Sequence, residues 1–218
     1  MDNQSTVENE HNDYSNSNGT NSSTVLDIYP LSCYYFGSKD AVPLRNETVA
    51  DRVLRMKAKY DAYGMRACVA AVIVSCSNTP ISCCCKYRTP IYKLPGGRAR
   101  FGESDIDCLK RKLLSKLCVG EESRGPEWEV GKCLGMWWRP DFETLLYPCL
   151  PQNIKRPKEC TKLFLVKLPA SRRFTVPKNF KLLAVPLCQI HDNEKIYGPI
   201  ISGVPQLLSK LSFNIVKP

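Results

Sequence analysis

Two stretches of the chain repeat apolar residues at helical spacing. The first covers residues 48–63 and is followed by Gly64, a residue that commonly ends helices. One side of this stretch is apolar and carries Val49, Val53, Met56 and Tyr60. The other side is basic and carries Arg52, Arg55, Lys57 and Lys59. The pattern predicts an amphipathic helix with a cationic outer surface.

The second helical stretch follows Ser104, which is a favourable N-cap. Asp105 and Asp107 stand in the predicted first turn, where negative charge stabilises a helix. The predicted buried stripe consists of Ile106, Leu109, Leu113 and Leu117. A shorter helix is predicted over residues 204–211, with Pro205 in its first turn.

Other apolar segments have strand character, and most of them are bounded by turn residues. They cover residues 67–76, 81–87, 91–94, 129–138 and 162–168, with a weaker candidate at 180–187 that Pro186 limits. Trp137 and Trp138 are neighbours on one predicted strand, so their rings face opposite sides and at least one belongs to a core or interface. Strands and helices mixed in this order predict an α/β/α sandwich with a mixed sheet.

Polarity and charge divide the chain into a tail and a domain. Residues 1–26 are rich in Asn, Ser and Thr and carry four carboxylates but no Lys or Arg, which predicts a disordered acidic tail. Residues 27–218 then form a single domain with terminal extensions and a net charge of +14. Such an excess suits a polyanionic partner, although a basic protein need not have one. No apolar run reaches the ~20 residues of a membrane span.

The twelve cysteines predict neither a metal site nor disulfides. The chain contains no Cys-x-x-Cys pair, and its two histidines, His11 and His191, are far apart in sequence. Zinc sites need clustered ligands, and no secretory signal is present to favour disulfide formation. We therefore expect reduced thiols, no resident metal and no cofactor.

One motif carries a specific chemistry. Gly97 is followed at fixed spacing by Glu103, Arg111 and Leu113, a pattern that resembles the Nudix box. In Nudix hydrolases the glutamates of this helix hold Mg²⁺ against a pyrophosphate. The corresponding positions here carry Lys112, Ser115 and Lys116, which share one helix face. Ammonium groups cannot ligate Mg²⁺, so the motif predicts a Nudix scaffold without hydrolytic activity.

A wider resemblance covers most of residues 29–213. Its most specific segments are Tyr-Phe-Gly-Ser-Lys at 35–39, Lys-Leu-Pro-Gly-Gly at 93–97, Trp-Trp-Arg-Pro at 137–140, Val-Pro-Lys-Asn at 176–179 and Tyr-Gly-Pro-Ile-Ile-Ser at 197–202. They are similar to the small Nudix-fold subunit of pre-mRNA cleavage factor Im, also called cleavage and polyadenylation specificity factor subunit 5. On these segments the chain is identified as a divergent, plant-type member of that family.

The resemblance implies a nuclear, non-catalytic protein that binds single-stranded UGUA elements of pre-mRNA in the former nucleotide pocket. It also implies that the protein forms a homodimer. Its expected partners are larger cleavage factor subunits that carry RNA-recognition motifs and other polyadenylation factors. The residues at the family's RNA-contacting positions are Arg52, Tyr92, Leu94, Gly96, Tyr197 and Gly198. Ala70 and Ile91 depart from the family's Glu and Phe, which predicts reduced discrimination between RNA sequences.

Simpler interpretations of the same residues remain open. Arg52 on a basic helix face could be merely solvated, and Tyr92 could belong to the core. A dimerisation scaffold with weak RNA contact is one alternative function. A Nudix hydrolase is the other, and it would need carboxylates outside the usual positions, such as Glu121, Glu122 or Glu143.

Overall fold

The computed structural model describes residues 25–43, 46–76, 92–119, 126–142 and 145–216. The strands in these ranges are β1 (Val25–Ile28), β2 (Tyr34–Lys39), β3 (Arg66–Ile73), β4 (Gly96–Arg98), β5 (Glu129–Arg139), β6 (Glu159–Lys167), β7 (Arg172–Pro177) and β8 (Ser212–Ile215). The helices are α1 (Val49–Tyr63), α2 (Asp105–Leu117), α3 (Leu187–Ile190), α4 (Glu194–Ser202) and α5 (Val204–Leu208). A 3₁₀ turn covers Leu31–Cys33.

A mixed four-stranded sheet, in the order β4-β3-β6-β5, forms the centre of the fold. Strands β3 and β6 are parallel, and the two outer strands are antiparallel to their neighbours. Two further parallel pairs, β1 with β8 and β2 with β7, join segments far apart in sequence. The mixed sheet predicted from the sequence is confirmed.

The central sheet is apolar on both faces, because successive side chains of β3 point to opposite sides. Val69 and Ala71 pack in a core with α2 and Phe174 of β7. Ala70 and Val72 pack on the other side, with residues of α3, α4 and α5. Helices therefore cover both faces, as the predicted α/β/α sandwich requires.

Helix α1 confirms the first predicted helix but buries little of its stripe. Thr48 and Asp51 form a capping box, and Gly64 ends the helix with a φ of 69°. Met56 is buried, whereas the predicted stripe residue Val49 is 81% exposed. The helix lies at the periphery, where Tyr60 contacts Phe142 at 5.7 Å between ring centroids. Only the inner turns of α1 therefore contribute to packing.

Helix α2 confirms the second predicted helix in both its cap and its stripe, with one correction. The Ser104 hydroxyl accepts a hydrogen bond from the Asp107 N–H at 3.1 Å. Leu109, Leu113 and Leu117 are fully buried. Ile106 is exposed instead, because the buried position in the first turns of the helix is taken by Cys108.

Three predicted strands are confirmed with shifted ends, as β3, β5 and β6. The strand predicted at 91–94 is wrong, because residues 92–94 are irregular and pairing begins at Gly96. The strand predicted at 180–187 is also wrong, because residues 180–186 form an irregular connection to α3. The strand predicted at 81–87 lies outside the described residues. The last predicted helix ends earlier than expected, at Leu208.

The predicted tail also has a different boundary. Strand β1 begins at Val25 and buries Leu26, so two residues assigned to the tail belong to the domain. Residues 1–24 lie outside the described ranges. Trp137 is buried at 4% exposure, which confirms a core role for one of the paired tryptophans. No helix within the described ranges is long and apolar enough to cross a membrane.

Candidate nucleic-acid interface

The two glycines that begin β4, called the Gly-Gly turn below because they follow the bend at Pro95, pair directly with β3. Gly96 pairs with Ala70, and Gly97 pairs with Val69. A Cβ atom added to Gly96 would stand 2.1 Å from the Val69 carbonyl oxygen and 2.6 Å from the Ala70 Cα. No side chain fits there, so glycine at 96 is what allows the turn to approach β3. The φ of 155° at Gly96 also disfavours a side chain, so both space and backbone conformation require glycine at this position.

Glu103 is held by its neighbours rather than presented to a ligand. Arg111 donates to it twice, Nε to Oε1 at 2.5 Å and Nη2 to Oε2 at 2.6 Å. The Arg100 N–H donates to Oε2 at 2.8 Å. The hydrogen bonds from Arg111 are the main reason that the pKa of the Glu103 carboxyl falls from 4.5 to about 2. The carboxylate therefore links the turn to α2.

The helix face that carries the metal ligands in Nudix hydrolases is cationic here. The Lys112 side chain extends across the turn, with its Cε 3.1 Å from the Cβ position of Gly97. Lys39 of β2 donates to the Ser115 carbonyl oxygen at 2.7 Å and to the Cys118 carbonyl oxygen at 3.0 Å, at the C-terminal end of α2. Lys116 adds another cation to this side of the helix.

These residues do not fit a Mg²⁺ ion. Magnesium requires oxygen ligands in octahedral geometry, and carboxylates normally supply the negative charge. The single nearby carboxylate of the motif, Glu103, already accepts three hydrogen bonds. Across the described ranges, no three His, Cys, Asp or Glu side chains are grouped as a metal would need. The alternative carboxylates Glu121, Glu122 and Glu143 lie outside those ranges.

Two tyrosines distant in sequence meet on the opposite face of the sheet. The ring centroids of Tyr92 and Tyr197 are 4.7 Å apart, and the ring planes are inclined by 53°. Both rings are partly buried and pack against the cluster that contains Leu94 and Ala70. The cluster lies next to the Gly-Gly turn, because its member Ala70 pairs with Gly96. The two rings form an aromatic wall on this face.

A kink in α4 positions the backbone next to this aromatic wall. Gly198 has a φ of 78° and separates two helical segments within α4. The Ser202 hydroxyl donates to the Gly198 carbonyl oxygen at 2.9 Å and stabilises the kink. No atom of the described residues lies within 4 Å of the Cβ position of Gly198, so this glycine is needed for its backbone conformation and leaves open space beside it.

Arg52 lies in a different place from the other five predicted contact residues. It is exposed on α1 and lines a cavity of about 840 Å³ together with Met56, Arg139 and Phe142. The other five predicted residues, all of them described, do not line this cavity. The structure thus divides the predicted site into an aromatic wall and a separate cavity that contains Arg52.

Sequence reasoning missed Arg139 and Phe142 as neighbours of Arg52. Both residues lie in or next to the Trp-Trp-Arg-Pro segment at 137–140, which supported the family resemblance without being assigned to the site. Of the two departures from the family, Ala70 is buried on the face that carries the aromatic wall. Ile91 lies outside the described residues.

Comparisons with known proteins agree with this geometry. A family profile described as "Nucleotide hydrolase" (NUDIX_2) matches residues 24–211. Pre-mRNA cleavage factor Im 25 kDa subunit 1 of Arabidopsis thaliana is 61% identical over 194 residues, covering 88% of this chain and 87% of the relative. Subunit 2 of the same organism is 46% identical over 195 residues, covering 89% of this chain and 98% of the relative.

A more distant relative belongs to the same group. Cleavage and polyadenylation specificity factor subunit 5 of Dictyostelium discoideum is 35% identical over 190 residues, covering 87% of this chain and 95% of that protein. These matches extend over nearly the whole domain. The chain therefore belongs to the Nudix-fold family of small cleavage factor Im subunits, which take part in pre-mRNA processing.

Proposed function

We propose that this protein is a non-catalytic subunit of the nuclear 3'-end processing machinery that binds UGUA-type single-stranded RNA. The proposal rests chiefly on the contact between Tyr92 and Tyr197 beside Gly198. Proteins that read single-stranded RNA stack bases on aromatic rings and form hydrogen bonds with base edges. A tyrosine wall next to open backbone offers both kinds of contact.

The absence of catalysis is supported by the charges on α2. The cations Lys112 and Lys116 would repel a metal ion, and Glu103 is engaged by Arg111. A Nudix pocket of this kind can still accept a nucleotide chain, because phosphates and base edges are recognised by cations and backbone groups without a metal. Helix α2 and the two tyrosines pack on opposite faces of the central sheet, so RNA binding does not depend on the residues that metal-dependent hydrolysis would need.

The partner assignments follow from the family. The relatives are named as subunits of cleavage factors. We extend this to a homodimer that binds larger subunits with RNA-recognition motifs and contacts other polyadenylation factors. The net charge of +10 supports a polyanionic ligand such as pre-mRNA.

RNA binding can be tested by fluorescence anisotropy with UGUA RNA and a scrambled RNA at several salt concentrations. Arg52→Ala is expected to weaken UGUA binding by about 1–3 kcal/mol if the guanidinium reads a base edge. If Arg52 contacts only phosphate, its loss instead weakens both RNAs equally and makes the salt dependence shallower. Lys210→Ala removes one exposed positive charge that does not line the Arg52 cavity and serves as the matched control.

The tyrosines provide an independent arm of the same experiment. Tyr92→Ala should cost about 1–3 kcal/mol, the value of one stacked base, whereas Tyr92→Phe keeps the ring and should bind nearly as well as the wild type. Unchanged affinity in both Arg52→Ala and Tyr92→Ala would contradict the proposed site. The dimerisation scaffold with weak RNA contact would then be the better description.

A further inference from the structure

A small cationic pocket lies next to the Arg52 cavity. Its volume is about 70 Å³, and it is formed by α1, the paired ends of β3 and β4, and the segment before β6. Of the nine described residues that line it, five are cationic and none is a carboxylate. The cationic residues are Arg55, Lys59, Arg66, Arg98 and Lys158.

Nearby carboxylates neutralise only part of this charge. Glu47 accepts two hydrogen bonds from Arg55, at 2.6 and 2.7 Å, and balances that residue. Glu159 is buried between two guanidinium groups, with its Oε2 3.7 Å from Arg66 Nε and 3.8 Å from Arg139 Nε. One carboxylate is thus shared by two arginines at distances too long for hydrogen bonds. The local charge remains positive.

Two of the remaining cations, Lys158 and Arg98, lie against aromatic rings. Lys158 Nζ stands 4.0 Å from the ring centroid of Tyr60. Arg98 Cζ stands 6.0 Å from the ring centroid of Tyr63, which is 66% exposed. A ring face attracts a cation but does not cancel its charge. An exposed ring beside an arginine is also a surface on which a base can stack.

The pocket adjoins the larger cavity. Met56 and Phe142 line both of them, so the two spaces meet across these side chains. The larger cavity, about 840 Å³, has room for a nucleoside, whereas about 70 Å³ is far below the size of ordinary ligand pockets. A small anionic group attached to a ligand in the larger cavity fits this arrangement.

We propose that this pocket binds a backbone phosphate of single-stranded RNA, next to the nucleotide in the Arg52 cavity, and so lengthens the bound segment beyond the tetranucleotide element. The inference rests on the proposed function, because it requires RNA in the Arg52 cavity. RNA is favoured over an acidic peptide because an open aromatic ring and a nucleoside-sized cavity adjoin the cations. Phosphate contacts of this kind add affinity and salt dependence without sequence preference.

The test compares a UGUA tetranucleotide with the same element flanked by four uridines at each end. The wild type should bind the longer RNA more tightly and with a steeper salt dependence. In the double variant Lys59→Gln with Arg98→Gln, the gain from flanking nucleotides should fall about tenfold at 100 mM salt. The slope of log K against log salt should fall by about 0.7 for each phosphate that the variant no longer neutralises.

Two control variants separate the pocket from general charge and from misfolding. Lys181→Gln with Lys210→Gln removes two exposed charges elsewhere and should leave the gain unchanged. Lys59→Arg with Arg98→Lys keeps both charges and should retain the gain. Thermal melting establishes that each variant is folded. If Arg98→Gln destabilises the domain, Lys59→Gln alone replaces the double variant, and it should give about half the reduction in slope.

The outcomes distinguish this inference from the proposed function. If Lys59→Gln with Arg98→Gln leaves the gain intact while Arg52→Ala weakens binding of both RNAs, the pocket assignment is overturned and the proposed function stands. If neither RNA binds the wild type, both are overturned. If the double variant loses binding of a deca-glutamate peptide but keeps the RNA gain, the pocket is a peptide site and the inference is wrong.

Discussion

Arg111 binds Glu103 through two parallel hydrogen bonds of 2.5 and 2.6 Å, across the gap between the Gly-Gly turn and α2. Both residues belong to the Nudix motif, yet the pair has a structural role that does not depend on catalysis. It ties the loop between β4 and α2 to the helix. This accounts for the presence of two motif residues in a protein whose metal-ligand positions carry lysines.

The Glu103–Arg111 pair predicts a specific dependence of stability on pH. The pKa of Glu103 in the folded protein is about 2, below its ordinary 4.5. Its contribution is therefore complete above pH 4.5 and is lost as the pH falls toward 2. The melting temperature of Glu103→Gln should lie below that of the wild type at pH 7, and the difference should narrow over that acidic window. A difference independent of pH would show that the charge on Glu103 does not matter.

The close approach of Gly96 to β3 predicts a large penalty for any side chain there. Gly96→Ala should reduce the free energy of unfolding by about 3 kcal/mol or more, because the new Cβ would overlap backbone atoms of Val69 and Ala70. Gly102→Ala is the control, since Gly102 also has a positive φ, 74°, but no described atom within 4 Å of its Cβ position. It should cost only about 1–2 kcal/mol. If urea denaturation showed equal losses of unfolding free energy in Gly96→Ala and Gly102→Ala, the steric argument would be contradicted.

The lysine face of α2 predicts that the protein does not hydrolyse nucleotides. With Mg²⁺ or Mn²⁺, dinucleoside polyphosphates should remain intact, and metal-dependent turnover of about 1 s⁻¹ or faster would contradict the proposal. The triple variant Lys112→Glu, Ser115→Glu, Lys116→Glu should gain Mn²⁺ binding in titration calorimetry, because it restores three carboxylates on one helix face.

A second triple variant with the same type of charge reversal tests whether Mn²⁺ binding requires the α2 face or only added negative charge. Glutamates introduced at Lys178, Lys181 and Lys210 should not create a Mn²⁺ site, because these residues do not share one helix face. Equal Mn²⁺ binding by the two triple variants would mean that the helix face has no special geometry. Recovered hydrolysis is not expected, because the substrate pocket also differs from that of a hydrolase.

Ala70 lacks the side-chain acceptor of a glutamate, and Ile91 lacks the ring of a phenylalanine. We therefore expect this protein to discriminate between RNA sequences less well than a protein with Glu and Phe at these positions. The double variant Ala70→Glu with Ile91→Phe should widen the ratio of affinities for UGUA and scrambled RNA by up to about tenfold, the value of one net hydrogen bond. Ala70 is buried, so the glutamate should also lower stability. An unchanged ratio in a folded double variant would mean that these positions do not determine specificity.

The family assignment predicts a homodimer. Ile196 on α4 is 54% exposed, and Met136 on β5 is 42% exposed, so apolar side chains remain uncovered near the C-terminal helices. Sedimentation equilibrium at micromolar concentration should give twice the chain mass of 24.6 kDa. A monomer at that concentration would contradict the assignment.

The sequence predicted best what local interactions determine. The cap and the stripe of α2 are encoded within the segment itself, and they were confirmed with Ile106 as the exception. Strand β7 was missed because Arg172–Pro177 is short and begins with two arginines, and its pairing partner β2 lies far away in sequence. Long-range pairing of this kind leaves little trace in a local pattern.

The candidate site was also only partly predictable from the sequence, because it depends on long-range packing. The family motifs indicated Tyr92 and Tyr197, but their contact depends on how α4 packs against the central sheet. The separation of Arg52 from these tyrosines depends on how α1 packs near Phe142 and the segment before β6. Neither packing arrangement follows from the periodicity of the helices alone.

The parallel pairing of β1 with β8 has a consequence for synthesis of the chain. Leu26 and Ile28 are made early, but they become part of a closed core only when residues 212–215 have paired with them. A nascent chain leaving the ribosome therefore carries an unpaired apolar strand until residues 212–215 have emerged, and such strands are prone to aggregation. The core around β1 closes only when β8, the last described strand, can pair with it.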